Sequence, residues 1–226
     1  AKAFDTLDQS ASRAEDFVAK NQKYILGFLT IVALATVSYL LYQKFIAEPS
    51  QEEAASELFV AQQNFQKAVD ATGTKSDSLY NLVLKGSEGK FGVVKIADEY
   101  SGTDAGNLAN YYAGVAYLNT KKYAEAITSL EKFKSDDIML STIAIGAIGD
   151  AYAQQNKQKE ALEYYVKAAD ANKNELTRPR YLMKAGKTAL VLGNKADALK
   201  YFTDIKDNYD TAPEAQSIDA LIGLAQ

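Results

Sequence analysis

The sequence predicts an all-α protein: a single N-terminal transmembrane helix followed by an α-solenoid of paired helices. Three observations predict it. Twenty consecutive residues from Tyr24 to Gln43 carry no charge. From Asn107 onward a set of small and aromatic residues recurs at shifts of 35 and then 37 residues. Elsewhere apolar residues recur at spacings of three and four, the helical period, and no period-two strand pattern appears.

The 226 residues suffice for one or two domains with a sizeable core. With 25 basic and 29 acidic residues the chain is mildly acidic, and only Arg13, Arg178 and Arg180 are arginines. A nucleic-acid partner is not expected, because phosphate binding concentrates positive charge. The chain has no Cys, no His and no Trp. That removes thiolate nucleophiles, imidazole bases, disulfides and zinc sites built from Cys or His. Carboxylates, lysines, tyrosines and hydroxyls remain, so a lysine or carboxylate hydrolase is the third reading, but no catalytic residue, cofactor or metal is expected.

Residues 1–23 form the first segment. Phe4, Leu7, Ala11, Ala14 and Val18 are spaced as on a short amphipathic helix lying against the membrane or a cytosolic partner helix; a loosely ordered tail is the alternative. Residues 24–46 are read as the anchor. As a helix rising about 1.5 Å per residue, the uncharged run spans roughly the 30 Å hydrocarbon layer. Ala33-Leu34-Ala35 resembles a signal-peptidase site, but apolar residues continue through Leu40 and Leu41, so an uncleaved anchor is expected. Tyr24, Tyr39 and Tyr42 cluster toward its ends, where amphipathic rings favour the interface. Lys2, Arg13, Lys20 and Lys23 precede the span, whereas Lys44 alone follows closely. The positive-inside rule then puts the N-terminus in the cytoplasm and residues 47–226 on the far side, the periplasm if the host is bacterial. A cysteine-free domain is compatible with that oxidising compartment.

After the span, Pro49, Ser50 and Glu53 have capping-box spacing. A helix over 51–71 is expected to place Ala55, Leu58, Phe59, Gln62, Phe65 and Val69 on one side. Shorter helices are expected near 76–84 and 91–100, completing a degenerate first repeat. The repeats proper then follow. Gly114, Tyr117, Ala126 and Phe133 recur as Gly149, Tyr152, Ala161 and Ala168, and again as Gly186, Ala189, Ala198 and Ile205. This spacing resembles the tetratricopeptide repeat. Closely crossing antiparallel helices leave room only for hydrogen or methyl at the contact, so each glycine is expected to face its repeat's alanine. Residues 119–122, 155–157 and 193–195 read as the short polar turns, and Pro179 and Pro213 stand where helices begin. Residues 214–225 are expected to cap the array with a solvent-facing helix.

With tail, anchor and repeats in that order, the chain is similar to the ancillary SecYEG translocon subunit, the YfgM-like family, in the anchored repeat form found in Bacteroidota. The segments carrying the likeness are Ala14-Glu15-Asp16-Phe17, Ala54-Ala55-Ser56-Glu57-Leu58-Phe59, Asp98-Glu99-Tyr100 and Gly106-Asn107-Leu108-Ala109. The resemblance implies a non-enzymatic inner-membrane scaffold at the periplasmic exit of the Sec channel. Its implied partners are SecYEG channel subunits, a PpiD-type membrane-anchored chaperone, secreted polypeptide clients and the lipid bilayer. An envelope adaptor for outer-membrane biogenesis or division is the alternative. In tetratricopeptide arrays the first helix of each repeat lines a groove, which the resemblance places at Tyr111, Val115, Asn119, Asp150, Gln154, Met183, Lys187 and Leu190. Solvated helix faces are the other reading of those positions.

Other motifs carry little. Gly86-Ser87-Glu88-Gly89-Lys90-Phe91-Gly92 lacks the spacing and the hydroxyl residue after lysine that a phosphate loop needs, and reads as a flexible turn. Asp136-Asp137 suits a helix N-cap better than a calcium site. Glu160 and Glu163 read as surface charge rather than an acid–base pair. The many tyrosines, Tyr164, Tyr165 and Tyr201 among them, read as repeat core rather than ligand cages.

Overall fold

The computed structural model describes the backbone of residues 2–87 and 89–226 and the side chains of residues 15, 17–87 and 89–226. The chain divides into two compact units, one ending at Ser50 and the other spanning Gln51–Gln226.

The first unit is built on α1 (Lys2–Tyr42) and a π-helical turn, Gln43–Ala47. The side chains of Phe4, Leu7, Ala11 and Ala14, on which the amphipathic reading of the tail rests, lie outside the described residues. Within the span no side chain is buried, and Leu26, Phe28, Ile31 and Leu34 are exposed. The helix is long and apolar enough to cross a membrane. Its two threonines are satisfied internally: the Thr30 hydroxyl donates to the Leu26 carbonyl at 2.8 Å and that of Thr36 to the Val32 carbonyl at 2.9 Å. Such back-bonding is what hydrocarbon demands of a hydroxyl. The π-turn stands where the span was expected to end, and Pro49 supplies its cause. A proline lacks the N–H that would bond four residues back and its ring clashes with that carbonyl, so the helix widens ahead of it. The Glu48 amide accordingly donates five residues back, to Gln43. Ser50 therefore lies inside helix α2 (Glu48–Asp70) and is not the expected cap.

The second unit opens with the rest of α2, then α3 (Thr74–Lys85) and α4 (Val93–Glu99). On α2 the buried stripe is Ala54, Leu58, Ala61, Asn64 and Ala68, with Phe65 packed on it. Phe59 is 59% exposed and Val69 51%, so the expected apolar face is rotated by about one residue. Phe65 meets Tyr80 and Tyr112 edge-on, with ring centroids at 5.9 and 4.8 Å. Between α3 and α4 lies a short antiparallel hairpin, β1 (Gly86–Ser87) and β2 (Lys90–Phe91). It corrects the flexible-turn reading of that glycine-rich stretch. Glu57 of α2 pins it, accepting from Lys90 Nζ at 2.7 Å and from the Phe91 amide at 3.1 Å. Lys90 is thus committed to a carboxylate, which answers the phosphate-loop question for this lysine.

Three helix pairs follow: α5 (Asp104–Asn119) with α6 (Tyr123–Lys132), α7 (Ile138–Gln154) with α8 (Gln158–Ala171), and α9 (Arg178–Val191) with α10 (Lys195–Asn208). Their turns are the same object three times. Lys121, Asn156 and Gly193 all have positive φ, at 62°, 59° and 75°. One residue later the amides of Lys122, Lys157 and Asn194 reach back to the carbonyls of Tyr117, Tyr152 and Ala189 at 2.8, 3.0 and 2.8 Å. This six-to-one closure satisfies helix-end carbonyls. Asp137 caps α7 through bonds from the Met139 and Leu140 amides at 2.8 and 3.1 Å, the role expected of that acidic pair. Pro179 and Pro213 stand in the first turns of α9 and of a 3-10 turn, Pro213–Ser217, that leads into α11 (Ile218–Ala225).

The helix crossings differ from expectation in one respect, although in the first pair a Cβ on Gly114 would also come within 3.2 Å of the Ala126 carbonyl oxygen, as the expected pairing requires. A Cβ on Gly114 would lie 2.4 Å from Leu130 Cγ, one on Gly149 2.7 Å from Tyr165 Cε1, and one on Gly186 2.3 Å from Phe202 Cε1. Each glycine makes room for the large side chain one turn beyond the repeat's alanine. Ala126, Ala161 and Ala198 are themselves fully buried and let the helix backbones close. Between repeats, the Tyr181 ring of α9 occupies the space a side chain at Gly146 of α7 would need.

Candidate functional site

On this array the C-terminal ends of α5 and α7, the start of α6 and the middle of α8 and α9 line an open cleft of about 490 Å³. Asp150 of α7 stands at its centre because Gly149, its neighbour, holds α8 close enough for Tyr165 to reach across. Tyr165 Oη donates to Asp150 Oδ1 at 2.8 Å. Lys184 Nζ of α9 donates to both carboxylate oxygens, at 2.6 and 2.8 Å. The two charged side chains are each about one-third exposed. The ammonium also lies 5.5 and 5.9 Å from the Tyr165 and Tyr181 ring centroids, within cation–π reach. Three helices from two repeats are thereby fixed around one charge pair that still meets solvent.

Electrostatics keep the phenols as donors. Burial pushes the Tyr165 hydroxyl well above its ordinary value, and the Asp150 charge and hydrogen bond push it the same way. Burial and Asp150 raise Tyr181 to about 12, with Arg180 opposing. Both stay protonated at any physiological pH. On the far wall, Tyr123 Oη meets Gln154 Oε1 at 3.4 Å. The lining therefore presents hydroxyl, amide and charged groups, and among the described residues no cluster of His, Cys, Asp and Glu could hold a metal ion.

Of the residues expected to line a groove, Asn119, Asp150 and Gln154 come together here. Tyr111 does not; its ring packs on Phe133 at 5.3 Å, half-buried within the α6–α7 core. Val115 and Leu190 are half-buried, and Lys187 is exposed outside the cleft. Met183 is 7% exposed and belongs to the core, so it offers no surface to a partner. Sequence reasoning missed Lys184, Tyr165 and Tyr123. Lys184 had a signal: it stands 34 residues from Asp150 with opposite charge, close to one repeat length. Tyr165 had none, because its function depends on the glycine opposite.

Profiles of the tetratricopeptide repeat match residues 108–137 and residues 144–175, which are α5–α6 and α7–α8. No curated protein and no solved structure gives a significant match to the chain. The fold class this defines is an all-α array containing tetratricopeptide repeats, with, among the described residues, one N-terminal helix long and apolar enough to cross a membrane. The pair α9–α10 falls outside both matches yet repeats their turn and their glycine crossing. Proteins of this class are generally non-enzymatic scaffolds that bind other proteins.

Proposed function

We propose that this protein is a single-pass scaffold of the bacterial inner membrane. Its repeat domain sits in the periplasm beside the SecYEG channel, binds partner proteins and helps pass emerging polypeptides onward. A PpiD-type chaperone is the expected neighbour. The observation carrying this reading is the conjunction, in one chain, of a membrane-length uncharged helix and a repeat array with an open cleft organised by Asp150, Lys184 and Tyr165. An anchor confines the cleft to the membrane plane and raises its effective concentration near a channel, so modest affinities suffice. The resemblance in tail, anchor and repeat order supports the choice of channel.

The test is affinity purification of the tagged full chain from detergent-solubilised membranes. Enrichment of channel subunits is expected. Their absence, with other envelope proteins in their place, favours an adaptor for outer-membrane biogenesis or division. Asn119→Ala, Gln154→Ala and Lys184→Glu, all at residues lining the cleft, probe the groove. If all three variants retain every partner, the groove assignment fails even where the channel assignment stands.

A further inference from the structure

α2 runs beside α5 in the same sense: the Asp104 amide donates to Gln51 Oε1 at 3.1 Å, and Gln62 Nε2 donates to Tyr112 Oη at 3.3 Å. The chain therefore enters the repeat unit at the edge where α5 begins. Asn107, in the first turn of α5, exchanges bonds of 2.6 and 2.9 Å with the backbone of Lys134, which fixes the α6–α7 loop at that edge. α9 in turn runs beside α7 in the same sense, Tyr181 against Gly146 and Lys184 against Asp150, so the α8–α9 loop belongs to the same edge. Gln51 follows Ala47, the end of the π-turn, by four residues along the chain. Even fully extended, four residues reach no more than about 14 Å, so this edge is tethered at the end of the apolar helix.

Both loops expose apolar side chains there, and at one register position. The shifts of 35 and 37 that align the repeat glycines carry Asp104 onto Met139 and then Leu176. Ile138 is 60% exposed, Met139 40% and Leu176 58%. One exposed apolar residue is ordinary on any surface, but these three share the edge at which the tether arrives. The exposed charges of the same loops balance, with Lys134, Lys173 and Arg180 against Asp136, Asp137 and Glu175.

We infer that this edge docks on the bilayer itself, with Ile138, Met139 and Leu176 inserted at the boundary between headgroups and acyl chains. The inference rests on the first helix spanning a membrane, and on neither the choice of channel nor the orientation of the chain. The tether selects the occupant: it holds the loops near lipid at an effective concentration in the millimolar range, so shallow insertion of three side chains is enough. Because the loop charges balance, apolar burial drives the contact and an uncharged headgroup serves. The cleft around Asp150 lies at the C-terminal ends of α5 and α7, the opposite edge, so docking leaves it open and directed away from the lipid.

The test uses the full chain in phosphatidylcholine nanodiscs. Because the chain has no native cysteine, a nitroxide is attached singly at Met139→Cys, Leu176→Cys or Val191→Cys, the last an exposed apolar position at the far end of α9. The readout is the ratio of collisions with oxygen, which concentrates in lipid, to collisions with a water-soluble nickel chelate. A ratio several-fold higher at Met139→Cys and Leu176→Cys than at Val191→Cys is expected. Adding Ile138→Asp and Leu176→Asp should lower the Met139→Cys ratio to that of Val191→Cys, with circular-dichroism melting unchanged. Equal ratios at all three sites, or a ratio indifferent to the aspartates, in a chain that co-elutes with the discs overturn the inference alone. A chain that does not enter the discs overturns the membrane-span reading and this inference with it. Labels shielded from both reagents assign the edge to protein, a second copy where dipolar broadening appears, and overturn it equally.

Discussion

Gly146 and Gly149 stand three residues apart on α7 and serve different neighbours: the first admits Tyr181 from the next repeat, the second Tyr165 from its own. Gly146→Leu forces Tyr181 from its place, and overpacking of this kind costs about 1–3 kcal/mol. Gly223→Ala is its counterpart, since nothing obstructs a methyl there and alanine favours helix by about 1 kcal/mol. Urea unfolding followed by circular dichroism should show a loss for the first variant and a gain for the second. Glu57 carries the pH dependence at this scale. Its hydrogen bonds from Lys90 and the Phe91 amide hold its carboxyl below the ordinary value of 4.5, against an opposing push from burial. A group depressed in the folded state stabilises above its unfolded value, and that stabilisation is lost as the pH falls through the depressed one. Wild type should therefore lose more stability than Glu57→Gln when acidified below pH 4.5, and equal acid slopes would show that the hairpin is not held by this charge.

At the scale of elements, the π-turn Gln43–Ala47 and α2 are tied to one residue. Pro49→Ala restores an N–H able to bond the Phe45 carbonyl, so an unbroken α-register becomes available where the turn now stands. Amide hydrogen exchange across residues 43–53 should slow in the variant; unchanged exchange would mean that the turn has another cause. The helices of the second unit were legible in the sequence because they bury stripes at helical spacing, and α1 because of its uncharged run. Their faces were less so. On α2, Phe59 and Val69 read as core, yet the buried stripe is made of the smaller Ala54, Ala61 and Ala68. Hydrophobicity alone ranks phenylalanine above alanine, but a close helix crossing selects for size. The hairpin was invisible for another reason, since strands of two residues are too short to show any alternation.

Across the whole molecule, four basic residues before the span against one soon after it are the ground for the proposed orientation. The chain lacks cysteine, so single cysteines at Ser10 and Ser217 report topology cleanly. In intact spheroplasts a membrane-impermeant thiol reagent should label the Ser217 site and leave the Ser10 site untouched; the reverse pattern would invert the assignment and remove the periplasmic function with it. The repeat register needed no coordinates. A shift of 35 and then 37 residues aligns glycine with glycine, and the positive-φ turns at Lys121, Asn156 and Gly193 fall on the same register. Composition likewise disposed of thiol and imidazole chemistry and of zinc sites built from Cys or His. What tertiary structure alone decided is which residues meet. Asp150, Tyr165 and Lys184 come from three helices, and Met183, one position before Lys184, turns into the core while the lysine reaches the cleft. Local sequence sets a helix because its hydrogen bonds run four residues back. A cleft between helices depends on rotations about their axes, which are fixed by the packing of side chains far apart in the chain.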